Sequence, residues 1–244
     1  MESATGPKTT TGTDQAAHFG RMAADWWDPK GSSRMLHRLN PVRLRYIRDT
    51  VDAHWHGDPK TRIPLSGKRV LDFGCGAGLL TEPLTRLGGK VTGVDAALEN
   101  IAVAQAHAAQ SGLTIDYRTG GTEVVASERF DLITCLEVVE HVAGPADFVA
   151  ELASLLDAGG LLILSTPNRT ALSKFAIIGI GETLGGIPTG THDWDSFVTP
   201  EELSAHVAAA GLTVFETRGM KFGPARGFHL SDDEKLDYFL VAHA

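Results

Sequence analysis

One short run constrains the fold of this chain more than any other segment: residues 70–78 read VLDFGCGAG. An apolar strand runs here directly into a turn with three glycines, and a helical pattern follows near Leu79–Leu87. Glycine is needed where the backbone takes a positive φ or where a ligand presses against the main chain. The helix after the turn offers free backbone N–H groups. The run therefore predicts a strand–turn–helix unit with a ligand at the turn.

The rest of the chain alternates between apolar runs and helical patterns, and the apolar runs are typical of buried parallel strands. The predicted strands are Arg69–Phe73, Val91–Val94, Ile115–Arg118 (an edge strand), Phe130–Thr134, Leu161–Ser165, Thr213–Thr217 and Leu236–His243. Further helices are predicted near Leu98–Ser111, Ala146–Leu156 and Glu201–Ala210. This alternation predicts an α/β, Rossmann-like fold: a mostly parallel sheet with helices on both faces and ligands at the carboxyl ends of the strands.

The chain divides into three parts by composition. Residues 1–13 are small and polar, and we expect them to be disordered. Residues 14–66 predict a helical arm and linker, broken by the turn Asp28–Gly31 and by Pro41. Residues 67–244 form the α/β domain, with an apolar, glycine-rich insertion at 168–192. The arm is locally basic, through Arg21, Lys30, Arg34, Arg38, Arg43, Arg45 and Arg48.

Charge and cysteine content exclude several classes of protein. The net charge of −8 argues against a nucleic-acid partner, which would require clustered lysine and arginine. Cys75 and Cys135 are too few for a disulfide framework and predict free thiols in a reducing compartment. No signal-peptide pattern and no run of about 20 apolar residues is visible. We therefore expect a cytoplasmic protein, and peripheral contact with the inner face of a membrane stays open.

The residues around the glycine turn indicate the class of cofactor. A dinucleotide fingerprint would want glycine where this chain has Leu79. Asp72, two residues before Gly74, suits an ammonium group better than a pyrophosphate. Asp95, at the end of the next strand, is placed to accept both hydroxyls of a ribose. Together these features favour an adenosine-type cofactor with a positive charge, and the alternatives are a nicotinamide-dependent oxidoreductase and a catalytically silent nucleotide-binding module.

Several longer segments carry a resemblance to a known family. They are Ala24–Gly31 (ADWWDPKG), Leu36–Leu44 (LHRLNPVRL), Val70–Gly78, Thr134–Val142 (TCLEVVEHV), Ser165–Thr170 (STPNRT), Gly190–Trp194 (GTHDW) and Asp237–Ala242 (DYFLVA). In these segments the chain resembles the ubiquinone biosynthesis O-methyltransferases, a family of class I S-adenosylmethionine-dependent methyltransferases. The resemblance is loose at Ser32–Met35 and at Gly223–Ser231.

The resemblance implies a seven-stranded sheet, S-adenosylmethionine as methyl donor, and O-methylation of a polyprenylated phenol or catechol at two pathway steps. The acceptors would be 2-polyprenyl-6-hydroxyphenol and 3-demethylubiquinol, and other enzymes of the quinone pathway are candidate partners. A class I methyltransferase acting on another small molecule is the alternative. The implied cofactor-binding residues are Arg43, Gly74, Asp95 and Leu136, which join Asp72, Gly76 and Gly78 of the turn.

The chemistry of methyl transfer to a phenol calls for a base or a metal. A phenol of pKa about 10 is only about 0.1% ionised at pH 7. Glu137, Glu140 and His141 follow the fourth predicted strand, and in a helix their i, i+3, i+4 spacing would put them on one face. They could bind a divalent cation, Mg²⁺ or Zn²⁺, that holds a catecholate, or they could only shape the cofactor pocket. His141 and Glu137 are the candidate catalytic residues, with His192 as a second candidate base.

Three further features concern the cofactor's carboxylate, an aromatic pocket and the lipid character of the substrate. Arg43 could clamp the cofactor's carboxylate through two of its guanidinium N–H groups, or it could be a solvated surface arginine. Trp26 and Trp27 could line an aromatic pocket or pack in the core. The apolar stretch Leu172–Ile187 follows a helical face, so that it and the basic arm could dock on anionic membrane lipid. The alternative is a helix packed on the sheet or a lid over the pocket.

Overall fold

The computed structural model describes residues 26–31, 33–174, 194–223 and 225–244. Its centre is one eight-stranded sheet in the order β3-β2-β1-β4-β5-β8-β6-β7. The strands are β1 (Arg69–Phe73), β2 (Lys90–Asp95), β3 (Asp116–Thr119), β4 (Phe130–Leu136), β5 (Leu156–Pro167), β6 (Thr213–Gly223), β7 (Gly227–Ser231) and β8 (Asp237–His243). Strands β1 to β5 pair in parallel, whereas β8 is antiparallel to both β5 and β6, and β7 is antiparallel to β6.

Helices cover the sheet on both faces, as predicted. They are α1 (Arg34–His54), α2 (Thr81–Arg86), α3 (Leu98–Gln110), α4 (Pro145–Ser154) and α5 (Pro200–Ala209), with short helical turns at Thr122–Val125, Val139–His141, Ala171–Ser173 and Trp194–Ser196. Each predicted strand has a counterpart and β1 has the predicted bounds, but β5 begins five residues earlier than predicted and β6 ends six residues later. The predicted α/β, Rossmann-like fold is confirmed.

Alternating side chains of the central strands build two cores. Leu71, Ile133 and Leu162 lie in one cluster, which includes residues of α4 and α5. Their neighbours along the chain, such as Leu132 and Ile163, lie in the other cluster beside residues of α1 and α2. This period of two is the geometry of a strand buried on both faces, and it explains why the runs are apolar throughout.

Helix α1 corrects one prediction for the N-terminal arm. The arm was expected to break at Pro41, but Pro41 lies inside a continuous helix of 21 residues. An internal proline removes one hydrogen bond and costs about 3 kcal/mol. The buried side of α1, which includes Ile47 and Val51, packs into the second core. We attribute the continuity of the helix to this tertiary packing.

The carboxyl edge of the sheet collects the candidate site residues. Strands β1, β2 and β4 end there in the glycine turn, in Asp95 and in Leu136. Because β8 runs the other way, its first residue, Asp237, lies at this edge in register with Pro167. The hairpin strand β7 adds an eighth strand to the seven implied by the resemblance, at the far side of the sheet. None of the helices in the described ranges is long and apolar enough to cross a membrane.

Candidate active site

The glycine turn after β1 has the left-handed backbone that its sequence predicts. Gly74, Gly76 and Gly78 have φ angles of 73°, 53° and 87°. The N–H groups of Gly74 and Cys75 both donate to the carbonyl of Val94, at 2.8 and 3.0 Å, which ties the turn to β2. A Cβ on Gly76 would lie only 2.7 Å from the Trp26 ring. Glycine is therefore required by the backbone conformation and by the aromatic side chain above it.

Asp95 joins the glycine turn to the start of α3. Its Oδ2 accepts from the backbone N–H of Gly76 at 2.8 Å. Its Oδ1 accepts from the Ala97 N–H at 2.9 Å and from the Asn100 amide at 3.1 Å. Burial raises the pKa of Asp95, and these three donors oppose that rise. A carboxylate can accept about four hydrogen bonds, so capacity remains on Asp95 for one more donor, such as a ribose hydroxyl.

Asp72 is buried, and its carboxylate is hydrogen-bonded to two neighbouring elements of the fold. Thr81 of α2 donates to its Oδ2 at 2.6 Å, and Thr134 of β4 donates to its Oδ1 at 2.9 Å. Burial raises the pKa of Asp72 to about 6. Its hydrogen bonds therefore connect β1 to its neighbours, in addition to any contact with a ligand's ammonium group.

Arg43 extends from α1 to the end of β4 and is 4% exposed. Its Nη2 donates to Glu137 Oε1 at 2.7 Å, and the Ser165 hydroxyl donates to the same oxygen at 2.6 Å. The Arg43 Nε is buried and has no hydrogen-bond partner within the described ranges. Arg43 is thus buried beside Glu137, and the alternative of a solvated surface arginine is wrong.

Glu137 has an unusual backbone for a residue with a side chain. Its φ is 58°, and its N–H donates to the carbonyl of Ser165 at 2.9 Å. Left-handed backbone at a residue other than glycine costs roughly 1 kcal/mol or more and persists where the surroundings impose it, often at functional sites. Leu136, the half-buried last residue of β4, precedes this bend.

The bend at Glu137 also corrects the predicted metal triad. The helical turn covers only Val139–His141, so Glu137, Glu140 and His141 do not share a helical face. Glu140 Oε2 accepts from Thr166 at 2.8 Å, and its Oε1 lies 3.8 Å from His141 Nε2. Within the described ranges, no three His, Cys, Asp or Glu side chains are grouped to hold a metal ion. Because the Arg43 guanidinium already neutralises Glu137, these residues do not fit the predicted Mg²⁺ or Zn²⁺.

The site also contains three polar residues that were not predicted from the sequence: Ser165, Thr166 and Asp237. Ser165 and Thr166, at the end of β5, bind Glu137 and Glu140. Asp237 is buried, and its Oδ1 has no hydrogen-bond partner in the described part of the chain. Burial, together with the charge of Glu137, raises the pKa of Asp237. The signal was available in the segments STPNRT and DYFLVA, but only the antiparallel pairing of β8 brings Asp237 to this edge.

Comparison with known proteins identifies the family. A family model described as a methyltransferase domain matches residues 35–217. The ubiquinone biosynthesis O-methyltransferase of Methylobacterium nodulans is 48% identical over 99% of this chain and 98% of its own length. That of Azorhizobium caulinodans is 46% identical over 95% of this chain and 93% of its own. This chain belongs to the ubiquinone biosynthesis O-methyltransferase family.

Solved structures place this O-methyltransferase family member in the class I methyltransferase fold. Magnesium protoporphyrin IX methyltransferase from Synechocystis PCC 6803 has a TM-score of 0.65 at 21% identity, with 94% of each chain covered. An S-adenosylmethionine-dependent methyltransferase from Clostridium acetobutylicum has a TM-score of 0.60 at 13% identity, over 82% of this chain and 89% of that one. At these identities the likeness concerns the fold alone.

Three of the predictions for this O-methyltransferase family member fall outside the described ranges. The first concerns residues 1–13, which were expected to be disordered. The second is His192, the second candidate base, and the third is most of the apolar stretch Leu172–Ile187. All three therefore stay predictions from the sequence.

The stability of the protein should depend on pH through Glu140. Burial, together with the charge of Glu137, raises the pKa of Glu140 from 4.5 to about 8. Between these values the folded carboxyl keeps a proton that the unfolded chain has lost, so its contribution to stability falls as the pH rises. Glutamine cannot titrate. We therefore expect the stability of E140Q relative to the wild type to increase by about 2 kcal/mol or more between pH 5 and pH 8.5.

Urea unfolding of both proteins across this range measures the difference directly. A difference in free energy that stays constant from pH 5 to pH 8.5 would contradict the raised pKa.

Proposed function

We propose that this protein transfers a methyl group from S-adenosylmethionine to a hydroxyl of a polyprenylated phenol or catechol, namely 2-polyprenyl-6-hydroxyphenol and 3-demethylubiquinol. The observation that carries the proposal is the match to ubiquinone biosynthesis O-methyltransferases at 43–48% identity over most of both chains. The site supports it, because a glycine turn and a buried polar cluster meet at the carboxyl edge of the sheet. We propose residues 67–244 as the methyltransferase domain and 14–66 as its arm.

The proposed cofactor site uses residues from three strands and from α1. Gly74, Gly76 and Gly78 would give the turn the left-handed backbone beside which the cofactor lies. Asp95 would accept a hydrogen bond from a ribose hydroxyl with its remaining capacity, and Asp72 would face the ammonium group through its remaining lone pairs. Arg43 would bind the carboxylate of the cofactor with the part of its guanidinium that Glu137 leaves unused. Leu136 would contribute apolar contact beside them.

The proposed chemistry is an in-line displacement at the methyl group of a sulfonium. When bound, S-adenosylmethionine supplies an electrophilic methyl group, and the residues of this chain have to align an oxygen behind it. We propose that His141 accepts the proton of the phenol, with His192 as the second candidate. Glu137, held by Arg43 and Ser165, would orient the acceptor through its carboxylate.

The proposed acceptor is hydrophobic and would be dissolved in a membrane, so the protein would have to contact lipid to reach it. We propose that the apolar segment 172–187 and the basic residues of the arm dock peripherally on anionic lipid, from which the acceptor is taken. Contacts with other enzymes of the quinone pathway belong to the same proposal. Co-sedimentation with liposomes tests the docking, and equal recovery with and without anionic lipid would refute it.

Methyl transfer from labelled S-adenosylmethionine to a short-chain 3-demethylubiquinol analogue tests the proposed reaction. We expect a methylated product on this analogue and on a matching 2-prenyl-6-hydroxyphenol. Transfer only to other members of a substrate panel would indicate a methyltransferase with a different acceptor. Calorimetric binding of NAD, without binding of S-adenosylhomocysteine, would indicate an oxidoreductase instead.

A further inference from the structure

Two consecutive tryptophans of the arm lie on the glycine turn and have no role in the site described so far. The Trp26 ring covers Gly76, where a Cβ would come within 2.7 Å of it. Trp26 is 7% exposed and packs in one small core with Ala77 and Leu79. The Trp27 indole N–H donates to the carbonyl of Ala77 at 3.0 Å. The arm therefore contacts the turn through both side chains.

Trp27 is also anchored to α3 and, through His107, to α2. Its ring stacks on His107 of α3, with centroids 3.4 Å apart and an angle of 5° between the planes. His107 Nδ1 lies 2.5 Å from Glu82 Oε1, and Arg86 donates to Glu82 Oε2 at 3.0 Å. Glu82 is buried; the Arg86 guanidinium pairs with its charge, and His107 is hydrogen-bonded to its other carboxylate oxygen. The orientation of His107 under Trp27 is thus imposed by a fixed carboxylate.

Trp26 is held differently and leaves one polar atom unused. Its carbonyl oxygen lies 2.8 Å from His37 Nε2, which connects it to the first turns of α1. Its indole Nε1 is buried and has no hydrogen-bond partner in the described part of the chain. A buried N–H without a partner costs about 1–3 kcal/mol, so proteins seldom leave one unused. An indole N–H can only donate, and the ligand proposed for the turn offers carboxylate, hydroxyl and adenine nitrogen acceptors.

We propose that Trp26 and Trp27 clamp the arm onto the glycine turn, and that the Trp26 indole N–H donates to S-adenosylmethionine bound there. The aromatic clamp consists of Trp26, Trp27, His107 and Glu82. It rests on the proposed cofactor and adds cofactor-binding and positioning residues that lie outside the glycine motif. Its two parts differ in chemistry: Trp26 contacts the cofactor, and the stack of Trp27 on His107 keeps the arm in place.

Calorimetric titration with S-adenosylhomocysteine, a product that cannot react, tests both parts. W26F removes the indole N–H together with the outer six-membered ring that covers Gly76 and keeps only a smaller aromatic ring, so we expect its Kd to rise by roughly two- to tenfold or more, at least the effect of one hydrogen bond. H107A removes the stack beneath Trp27, and we expect its Kd to rise about fivefold. H107F keeps an aromatic ring there and should restore most of the affinity.

The matched control is W55F, because Trp55 lies at the far end of α1 against Lys68 and does not touch the turn. Amide hydrogen exchange of residues 26–37 gives a second readout: binding should protect them in the wild type and less so in H107A. Wild-type affinity in both W26F and H107A, with normal binding by the wild type, would overturn the clamp. Absence of binding by the wild type itself would instead overturn the proposed cofactor.

Discussion

Replacing Arg43 with alanine is expected to lower the free energy of unfolding by about 3 kcal/mol. Arg43 is 4% exposed, and its guanidinium pairs with Glu137. Without it, the negative charge of Glu137 would face Glu140 and Asp237 with no compensating cation from α1. Removing one member of a buried ion pair typically costs 3–5 kcal/mol, and the 21% exposure of the Glu137 side chain places this case at the lower end.

The matched control for R43A is R69A. Arg69 and Asp157 form an ion pair of similar length, 2.9 Å, but their side chains are 46% and 50% exposed. Exposed pairs contribute about 0–1 kcal/mol, because solvent screens them. Urea unfolding at pH 7.5 measures both variants. Equal losses in R43A and R69A would show that the buried pair does not stabilise the fold.

Replacing His141 with alanine is expected to lower kcat for methyl transfer roughly 10²–10⁴-fold, the usual contribution of a general base. The side chain of His141 is 6% exposed, and its Nε2 lies 3.8 Å from Glu140 at the carboxyl edge. It lies on the turn after β4, outside the glycine turn that would bind the cofactor. We therefore expect the affinity of H141A for S-adenosylhomocysteine to stay within about twofold of the wild type.

H206A is the matched control for H141A, because His206 lies in the last turn of α5, outside the site. Steady-state kinetics with the short-chain quinol analogue give kcat, and calorimetry gives the affinity. A kcat of H141A within tenfold of the wild type would remove His141 as the base. A parallel loss of affinity would indicate a role in shaping the cofactor pocket, which is the alternative reading of the segment.

The local sequence was sufficient to predict features that depend on the backbone preference of a single residue or on the alternation of side chains along a strand. The bounds of β1, the left-handed glycines after it and the strands buried on both faces follow from composition at consecutive positions. Asp95 could be placed beside the turn because the carboxyl ends of parallel strands meet at one edge. In each case the physical cause lies within a few residues along the chain.

Contacts between residues that are far apart in the sequence could not be predicted in the same way. The spacing of Glu137, Glu140 and His141 suggested one helical face, but the hydrogen bond of Glu137 to Ser165 on β5 bends the chain there. Pro41 suggested a break, but packing of α1 on the sheet maintains the helix. Asp237 begins a segment of family resemblance but was not predicted as a site residue, because its position depends on the direction in which β8 pairs with β5.

The sequence by itself determined the α/β fold, the glycine turn with Asp95 beside it, and the family to which the chain belongs. Tertiary structure decided which side chains meet or are buried: the pairing of Arg43 with Glu137, the burial of Glu140 and Asp237, and the position of Trp26 over Gly76. The physical reason for this difference is the distance along the chain over which each effect acts. Backbone preference and hydrophobic period act over a few residues, whereas ion pairing and burial depend on segments that only the folded sheet brings together.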